Sequence, residues 1–433
     1  MTAESRARLQ VVCRGVVQGV GLRPALHRLA SALALGGSIA NRSGRVELDL
    51  CGPRAALEQL LLQLPKAVPP QAHLESIQVA WLHAGGDAPL TLHIAVSPAA
   101  PLGDSWLAPA LVSDRAPCAA CRAELGDPSN RRYGYPFISC CDCGPRFSIA
   151  TAEPYARANT SLAAFPLCAA CQRDFENPAD RRFHAETISC PRCGPRLQWL
   201  AVGRQSPTRA APLHQALARL RRGGIVAVLG VGGVQLLVDA SDAAAVERLR
   251  RRKCRPAKPL AVLVDPLRLL EPWLQISDAE RQLLHSPQAP IVLLERRRAP
   301  TVGAAHCPVV EAVAPGSQAL GVMLPASPLQ LLLAQAFGRP LVATSGNRSG
   351  EPLCHTPEQA LAQLADPAAP IADGLLLHDL TVVRPLDDSL LQCIDGSPQL
   401  LRRARGYAPA PLRLPDWPSA AAAALAVGGD LKA

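Results

Sequence analysis

Between Cys118 and Cys193 one pattern, Cys-x2-Cys-x18-Cys-x2-Cys, is written twice: Cys118, Cys121, Cys140 and Cys143, then Cys168, Cys171, Cys190 and Cys193. Each cysteine of the second copy lies fifty residues after its counterpart in the first. The neighbours repeat as well: both copies open with CAAC, carry an arginine pair (Arg131 and Arg132, Arg181 and Arg182) and close on ISC and CGPR. This is an internal duplication. A Cys-x2-Cys knuckle offers two sulfurs from one tight turn and two knuckles complete a tetrahedron, so each copy predicts a four-thiolate zinc site. All eight ligand positions are sulfur, which leaves neither metal an open position, and both zinc ions are expected to be structural. Within each copy the arginine pair and the closing CGPR arginine are expected to screen the negative cluster.

A disulfide framework is the competing use of these cysteines, and it needs an oxidising compartment. The first ten residues carry Glu4, Arg6 and Arg8, and the apolar run behind them is broken by Arg14, so no signal peptide is legible. The most apolar stretch, residues 224–238, is too short and glycine-rich to cross a bilayer. The expectation is a cytoplasmic chain with reduced thiols and no membrane partner, in which Cys141, one residue out of register, is a spare.

The formal charge of +10 over 433 residues raises the question of nucleic acid. The zinc region answers it: residues 118–199 hold ten Arg and no Lys against eight Asp and Glu, and two tetrathiolate zinc sites add about −4. No basic patch results. Nine of the fifteen aromatic residues fall there, among them Tyr133, Tyr135, Phe137, Phe147, Phe175 and Phe183. They are read as the miniature core of a metal-stapled module rather than as a base-stacking platform.

Before the zinc region, residues 8–17 read as a strand, Gln18 to Arg23 as a loop and Pro24 to Leu35 as a helix. A hairpin around residues 41–44, a helix from Pro53 to Leu64 and strands at His73 to Leu82 and Leu90 to Val96 follow. The first six of these elements, β-α-β-β-α-β, predict a ferredoxin-like α+β sandwich over residues 1–98. A glycine-containing strand-to-helix loop followed by Arg23 suits an anion, because loop amides and the helix dipole point at it; an ordinary strand-to-helix turn is the bland alternative. Pro98 to Pro109 reads as a linker within a zinc region of residues 99–205.

Residues 206–415 alternate helices and β-branched strands as an α/β domain. Its helices are predicted at 211–222, 242–252, 266–274, 278–286 and 328–337, and its strands at 224–229, 234–238, 259–264, 290–294, 319–323 and 340–343. Arg248, Arg250, Arg251, Arg252, Lys253, Arg255 and Lys258 crowd seven cations into eleven residues, with Pro256 and Pro259 stiffening the later ones. That suits a polyphosphate, although such runs are usually solvated. Ser345 and Asn347 end an apolar strand, where small polar groups can meet a nucleotide.

These motifs also carry a resemblance. VVQGVGLRP resembles the acylphosphatase signature, which implies Arg23 as phosphate binder and Asn41 as the residue that orients the attacking water. Leu22 departs from the family's usual Phe. Lys253-x-Arg255 with Ser345-x-Asn347 is similar to the tetrad of YrdC-like domains, which bind ATP and make an acyl-adenylate. The order acylphosphatase-like, twin zinc finger, YrdC-like resembles the HypF family of hydrogenase-maturation carbamoyltransferases over nearly the whole chain.

The resemblance implies a relay. Carbamoyl phosphate is hydrolysed at Arg23 and Asn41, and the carbamate attacks ATP, accompanied by Mg2+, to give carbamoyl-adenylate. Lys253, Arg255 and Lys258 hold phosphate charge there, and Ser345 and Asn347 hold the nucleotide or the carbamoyl group. A further domain of the family passes the group to the C-terminal cysteine of a HypE-like acceptor. Residues 416–433 look like the truncated start of that domain. Gln235 and Gln330 stand where relatives are expected to have histidines, and the arginine of residues 384–388 is shifted by one. The rival reading is a YrdC-like tRNA-modifying or RNA-binding zinc protein, against which the near-neutral zinc region and the acylphosphatase-like front end count; nucleic acid is not expected as a partner.

Overall fold

The computed structural model describes residues 6–42, 44–83, 91–95, 112–204, 206–298 and 306–410. The expected linker at 98–109 and the tail 416–433 lie outside the described residues.

The first unit comprises β1 (Arg6–Val16), α1 (Leu22–Ala32), β2 (Gly36–Arg42), β3 (Arg45–Pro53), α2 (Arg54–Ala67), β4 (His73–Leu82) and β5 (Leu92–Ile94). The sheet order is β4-β1-β3-β2-β5, antiparallel except for the β2–β5 pair. Period-two alternation turns Leu9, Val11 and Cys13 of β1 and Val46, Leu48 and Leu50 of β3 inward, against Leu22, Leu26 and Ala30 of α1 and Leu57, Leu60 and Leu64 of α2. The expected ferredoxin-like sandwich is what forms.

In the zinc module the regular elements are short: α3 (Ala119–Gly126) and α4 (Ala169–Glu176) start directly after Cys118 and Cys168. Few apolar side chains pack around each cluster: Leu125, Tyr135 and Ile138 in the first copy, Ala185 and Ile188 with Phe175 in the second. Most of the aromatic core reading holds, but Tyr133 is 55% exposed.

The third unit is built from β6 (Leu197–Ala201), α5 (Pro212–Arg221), β7 (Val226–Gly230), β8 (Gly233–Asp239), α6 (Ala243–Lys253), β9 (Ala261–Leu263), β10 (Leu274–Gln275) and α7 (Asp278–Leu284). It continues with β11 (Ile291–Arg296), β12 (Ala319–Met323), α8 (Pro328–Phe337), β13 (Leu341–Ser345), α9 (Pro357–Leu364), β14 (Gly374–His378), β15 (Leu390–Ile394) and β16 (Ser397–Arg402). One mixed sheet runs β16-β15-β11-β12-β9-β13-β8-β7-β14-β6, with β10 paired to β11. Val226 and Val228 pack with Leu220 of α5 and Leu333 and Phe337 of α8, while Ala227 and Leu229 pack with Leu249 of α6 and Leu364 of α9. Helices therefore cover both faces.

Two elements differ from the sequence reading. The helix expected at 266–274 is a pair of 3-10 turns, Leu267–Leu269 and Glu271–Trp273, because Pro272 removes a donor and crowds the preceding turn. Residues 197–201, for which no element was expected, form β6 at the edge of the large sheet, paired antiparallel to β14.

The zinc module touches both neighbours. Leu331 of α8 is buried in the core of the first copy, and Arg122 pairs with Asp265 at 2.9 Å. From the second copy, Phe183 meets the ring of His27 at 5.0 Å and the carbonyl of Pro178 accepts from Arg28.

Candidate functional site

The sulfurs of Cys118, Cys121, Cys140 and Cys143 lie within 4.8 Å of one another, and so do those of Cys168, Cys171, Cys190 and Cys193. Cys118–Cys140 and Cys140–Cys143 are 3.7 and 3.8 Å apart, and Cys168–Cys190 and Cys190–Cys193 3.8 and 3.7 Å. A tetrahedron with the usual zinc–sulfur bond has edges of about 3.8 Å, so both clusters fit structural zinc. Cys141 stays out of them, its thiol 3.3 Å from the carbonyl of Phe183 and pushed by burial up to about 12.

The arginine pairs do not screen their own copies. Arg131 of the first copy donates to Cys171 of the second at 3.2 Å, and Arg181 of the second donates to Cys121 of the first at 3.1 Å. Each pair is tied to an acid of the opposite copy, Arg131 and Arg132 to Asp174, Arg181 and Arg182 to Glu124. Arg132 Nε also reaches Ser189 O and Arg182 Nε reaches Ser139 O, both at 3.0 Å. The duplicated units thus brace each other by exchange, which the linear repeat does not reveal.

At the first candidate anion site, Gly19 (φ 75) and Gly21 (φ 77) take the left-handed turns that lead into α1. Gln18 ties this loop to the hairpin through Arg45 O at 3.1 Å and accepts from the Tyr155 N–H at 2.7 Å. Arg23 is buried and donates from Nη2 to Glu186 Oε1 at 2.6 Å. Asn41 is fully buried; its Nδ2 donates to Tyr155 O at 2.8 Å, and its Oδ1 has no partner. A cavity of about 20 Å³ at this loop is lined by Arg23 but not by Asn41, and much of its wall comes from the zinc module: Cys141, Arg146, Tyr155, His184 and Glu186. This is room for about one water. Arg146 holds the loop by donating to Gly19 O at 2.9 Å. Burial, with Arg23 and His27 nearby, pushes His184 down to about 3, and burial pushes Tyr155 up to about 12.

The second candidate site is a cavity of about 320 Å³ beside β8 and β13. Four cations line it, Arg255, Lys258, Arg402 and Arg405, together with Ser327, Thr344, Ser345, Asp387 and Asp388. The sheet register sets Ser345 opposite Gln235. Gln235 and Gln330 form a directed amide chain: Ala326 N–H to Gln330 Oε1 at 2.7 Å, Gln330 Nε2 to Gln235 Oε1 at 2.6 Å, and Gln235 Nε2 to Asp388 Oδ2 at 2.6 Å. Arg405 completes it from the other side of Asp388 at 2.9 Å.

The crowded cations separate by role. Arg250 is buried and donates to the carbonyls of Arg255, Pro256 and Lys258, so it shapes the loop that presents Arg255 and Lys258. Arg252 pairs with Asp373 at 2.7 Å, and Arg248 bonds Gly223 O. Lys253 does not line the cavity: its Nζ donates to Ser345 O (2.5 Å), Asn347 O (2.7 Å) and Asn347 Oδ1 (2.8 Å), so Lys253 and Asn347 stand behind it. Burial, then Arg250 and Arg402, lowers the pKa of Arg255. Arg384 leaves the site altogether and bonds the carbonyls of Phe147 and Ala150 in the zinc module. Glu186, Arg402 and Arg405 carry no site role in the sequence reading, and Arg146 only that of screening its own cluster; the break in the repeat at residues 184–187 is the signal for Glu186.

Three family profiles match successive parts of the chain: Acylphosphatase over residues 9–88, HypF finger over 118–150 and 167–200, and the Sua5/YciO/YrdC profile, described as telomere recombination, over 218–404. A carbamoyltransferase HypF of Synechocystis sp. is 44% identical over 403 residues, 93% of this chain and 50% of the relative. Over nearly its whole length the chain is similar to HypF carbamoyltransferases. It spans about half the length of the HypF relatives it matches. The crystal structure of a full-length HypF in a phosphate- and nucleotide-bound form superposes with a TM-score of 0.85 at 36% identity, covering 94% of this chain and 51% of that one. A threonylcarbamoyl-AMP synthase of Alkalilimnicola ehrlichii is 32% identical over 173 residues, 39% of this chain and 87% of the relative.

Proposed function

We propose that this chain is the carbamoyl-activating part of a hydrogenase-maturation carbamoyltransferase. The observation that carries the reading is the presence, in one chain similar to HypF carbamoyltransferases, of two separate cation-lined sites in domains that both contact the zinc module. In the first domain, water attacks carbamoyl phosphate and releases phosphate and carbamate. The loop amides and Arg23 stabilise the charge on the transferring phosphoryl group, while Asn41, held through Nδ2, leaves Oδ1 to orient the water. Admitting a phosphoryl group requires the walls of the small cavity to part.

In the large domain, a carbamate oxygen attacks the α-phosphorus of ATP and the bond to pyrophosphate breaks, giving carbamoyl-adenylate. Arg255, Lys258, Arg402 and Arg405 balance the polyphosphate, and Ser345 offers a hydroxyl at the end of β13. Lys253 and Asn347 act through the loop they hold. ATP is taken with Mg2+. The match to a protein named threonylcarbamoyl-AMP synthase supports an acyl-adenylate product. The adenylate is destined for a HypE-like acceptor in the cytoplasm. Among the described residues no helix is long and apolar enough to cross a membrane.

The test is carbamoyl-phosphate-dependent exchange of labelled pyrophosphate into ATP. Wild type is expected to exchange. Arg23→Ala is expected to lose exchange driven by carbamoyl phosphate but to regain it when carbamate is supplied chemically; Arg255→Ala is expected to lose both. Absence of exchange in wild type, or exchange that survives both substitutions, overturns the reading.

A further inference from the structure

The two zinc units differ where the second meets the first domain. With the copies aligned fifty residues apart, Gly134, Pro136 and Phe137 correspond to His184, Glu186 and Thr187. The zinc fold needs none of these replacements, since the first copy brings its four sulfurs together without them. His184 keeps the left-handed backbone (φ 50) of its counterpart Gly134 (φ 61), a conformation that costs a non-glycine residue about 1 kcal/mol or more. Both His184 and Glu186 line the cavity at Arg23.

Glu186 is clamped on its own side before it meets Arg23. Its Oε2 accepts from the Arg157 N–H at 2.8 Å, and the Arg157 guanidinium grips the carbonyls of Glu186 and Ile188, also at 2.8 Å. Its Oε1 takes the 2.6 Å bond from Arg23 Nη2, with side-chain exposures of 8% for Arg23 and 6% for Glu186. The other guanidinium N–H groups of Arg23 have no protein acceptor among the described residues. A long, flexible arginine is held by one edge against a fixed carboxylate, and its other edge is left for a ligand. An arginine fixed in this way has already given up the rotamer freedom that a ligand otherwise has to suppress.

We propose that Glu186 is the positioning residue for Arg23, so that the second zinc unit completes the anion site of the first domain. This rests on the reading of that site as a phosphoryl cradle. Arg146 of the first copy holds the loop, but the fixing of Arg23 falls to the second copy alone.

The full chain is assayed for binding of inorganic phosphate by calorimetry, for acyl phosphate hydrolysis and for zinc content. Glu186→Ala and Glu186→Met, the second keeping the length of the side chain without an acceptor, are expected to weaken phosphate binding and kcat/KM about ten-fold while two zinc ions remain bound. Glu186→Gln keeps an amide oxygen that can still accept from Arg23, while its NH2 group is turned to the Arg157 N–H from which Oε2 accepts in wild type. It is expected to recover only part of the loss, ending between Glu186→Met and wild type. In an Arg23→Ala background, Glu186→Met is expected to change phosphate affinity less than about two-fold, because a residue acting through Arg23 has nothing left to position. Unchanged or tighter phosphate binding in both Glu186→Ala and Glu186→Met overturns the proposal, tighter binding meaning that the carboxylate competes with the ligand. An equal loss with and without Arg23 also overturns it. A wild-type chain that neither binds phosphate nor cleaves acyl phosphates overturns the cradle reading itself.

Discussion

Replacing Lys253 by Met separates a residue that holds a loop from one that holds a ligand. Lys253 is the last residue of α6, is 3% exposed, and gives hydrogen bonds to Ser345 O, Asn347 O and Asn347 Oδ1. Each charged-donor bond is worth about 1.5–3 kcal/mol. The three share one ammonium and do not add, so about 3 kcal/mol is the expected cost of leaving their acceptors unmatched. That loss falls on the segment after β13, where Gly346 N–H bonds Val234 O at 2.7 Å and Cys354 N–H bonds Gly346 O at 3.1 Å. At about 1.4 kcal/mol per factor of ten, these two amides should exchange hydrogen about a hundred-fold faster in Lys253→Met. Amides inside β8, such as Leu236, serve as the internal reference and are expected to move far less. The assay is native-state hydrogen exchange of the nucleotide-free chain. Unchanged exchange at Gly346 and Cys354 together with a large loss of nucleotide affinity would falsify the reasoning, because the ammonium would then be serving the ligand directly.

Two further outcomes are expected. Arg182→Ala removes a buried brace that belongs to the second copy in sequence but bonds Glu124 and Ser139 O in the first. Chelator titration with peptide-mapped alkylation should show zinc affinity falling about 10- to 100-fold at Cys118, Cys121, Cys140 and Cys143 first; earlier labelling of the second copy's cysteines refutes the exchange. Burial pushes His378 down to about 4 from its ordinary 6.5. The unfolded chain therefore binds this proton below about 6.5 and the native chain only below about 4, so the contribution to stability is complete above pH 6.5 and is lost as pH falls toward 4. Between pH 7 and pH 5 wild type should lose about 2 kcal/mol more than His378→Phe; equal shifts in their thermal midpoints refute this.

Much of the chemistry was legible because it is written locally. The two four-cysteine clusters follow from spacing alone, and the strand-loop-helix around Arg23 follows from a valine-rich run that gives way to two glycines and a proline. Other features lay beyond that reach. The strand at Leu197–Ala201 has no strong alternation and exists because β14 offers it an edge. The run of seven cations reads as one charged patch, yet burial turns Arg250 and Lys253 inward as struts and leaves Arg255 and Lys258 on the cavity wall. The deciding partners are far away in the chain: β14 for the strand, Ser345 and Asn347 for Lys253, and the carbonyls of Ala312 and Val313 for Arg250.

What the sequence by itself determined is the set of parts: two four-sulfur clusters, a ferredoxin-like sandwich, an α/β domain and their order, all specified by spacing and periodicity over a few tens of residues. Only the tertiary structure decided how the parts are shared. Arginines of each zinc copy serve the other, and Glu186 of the second copy reaches Arg23 of the first domain across 163 residues. The physical reason is that a hydrogen bond depends on distance in space and direction, and sequence separation says nothing of either until the chain has closed on itself.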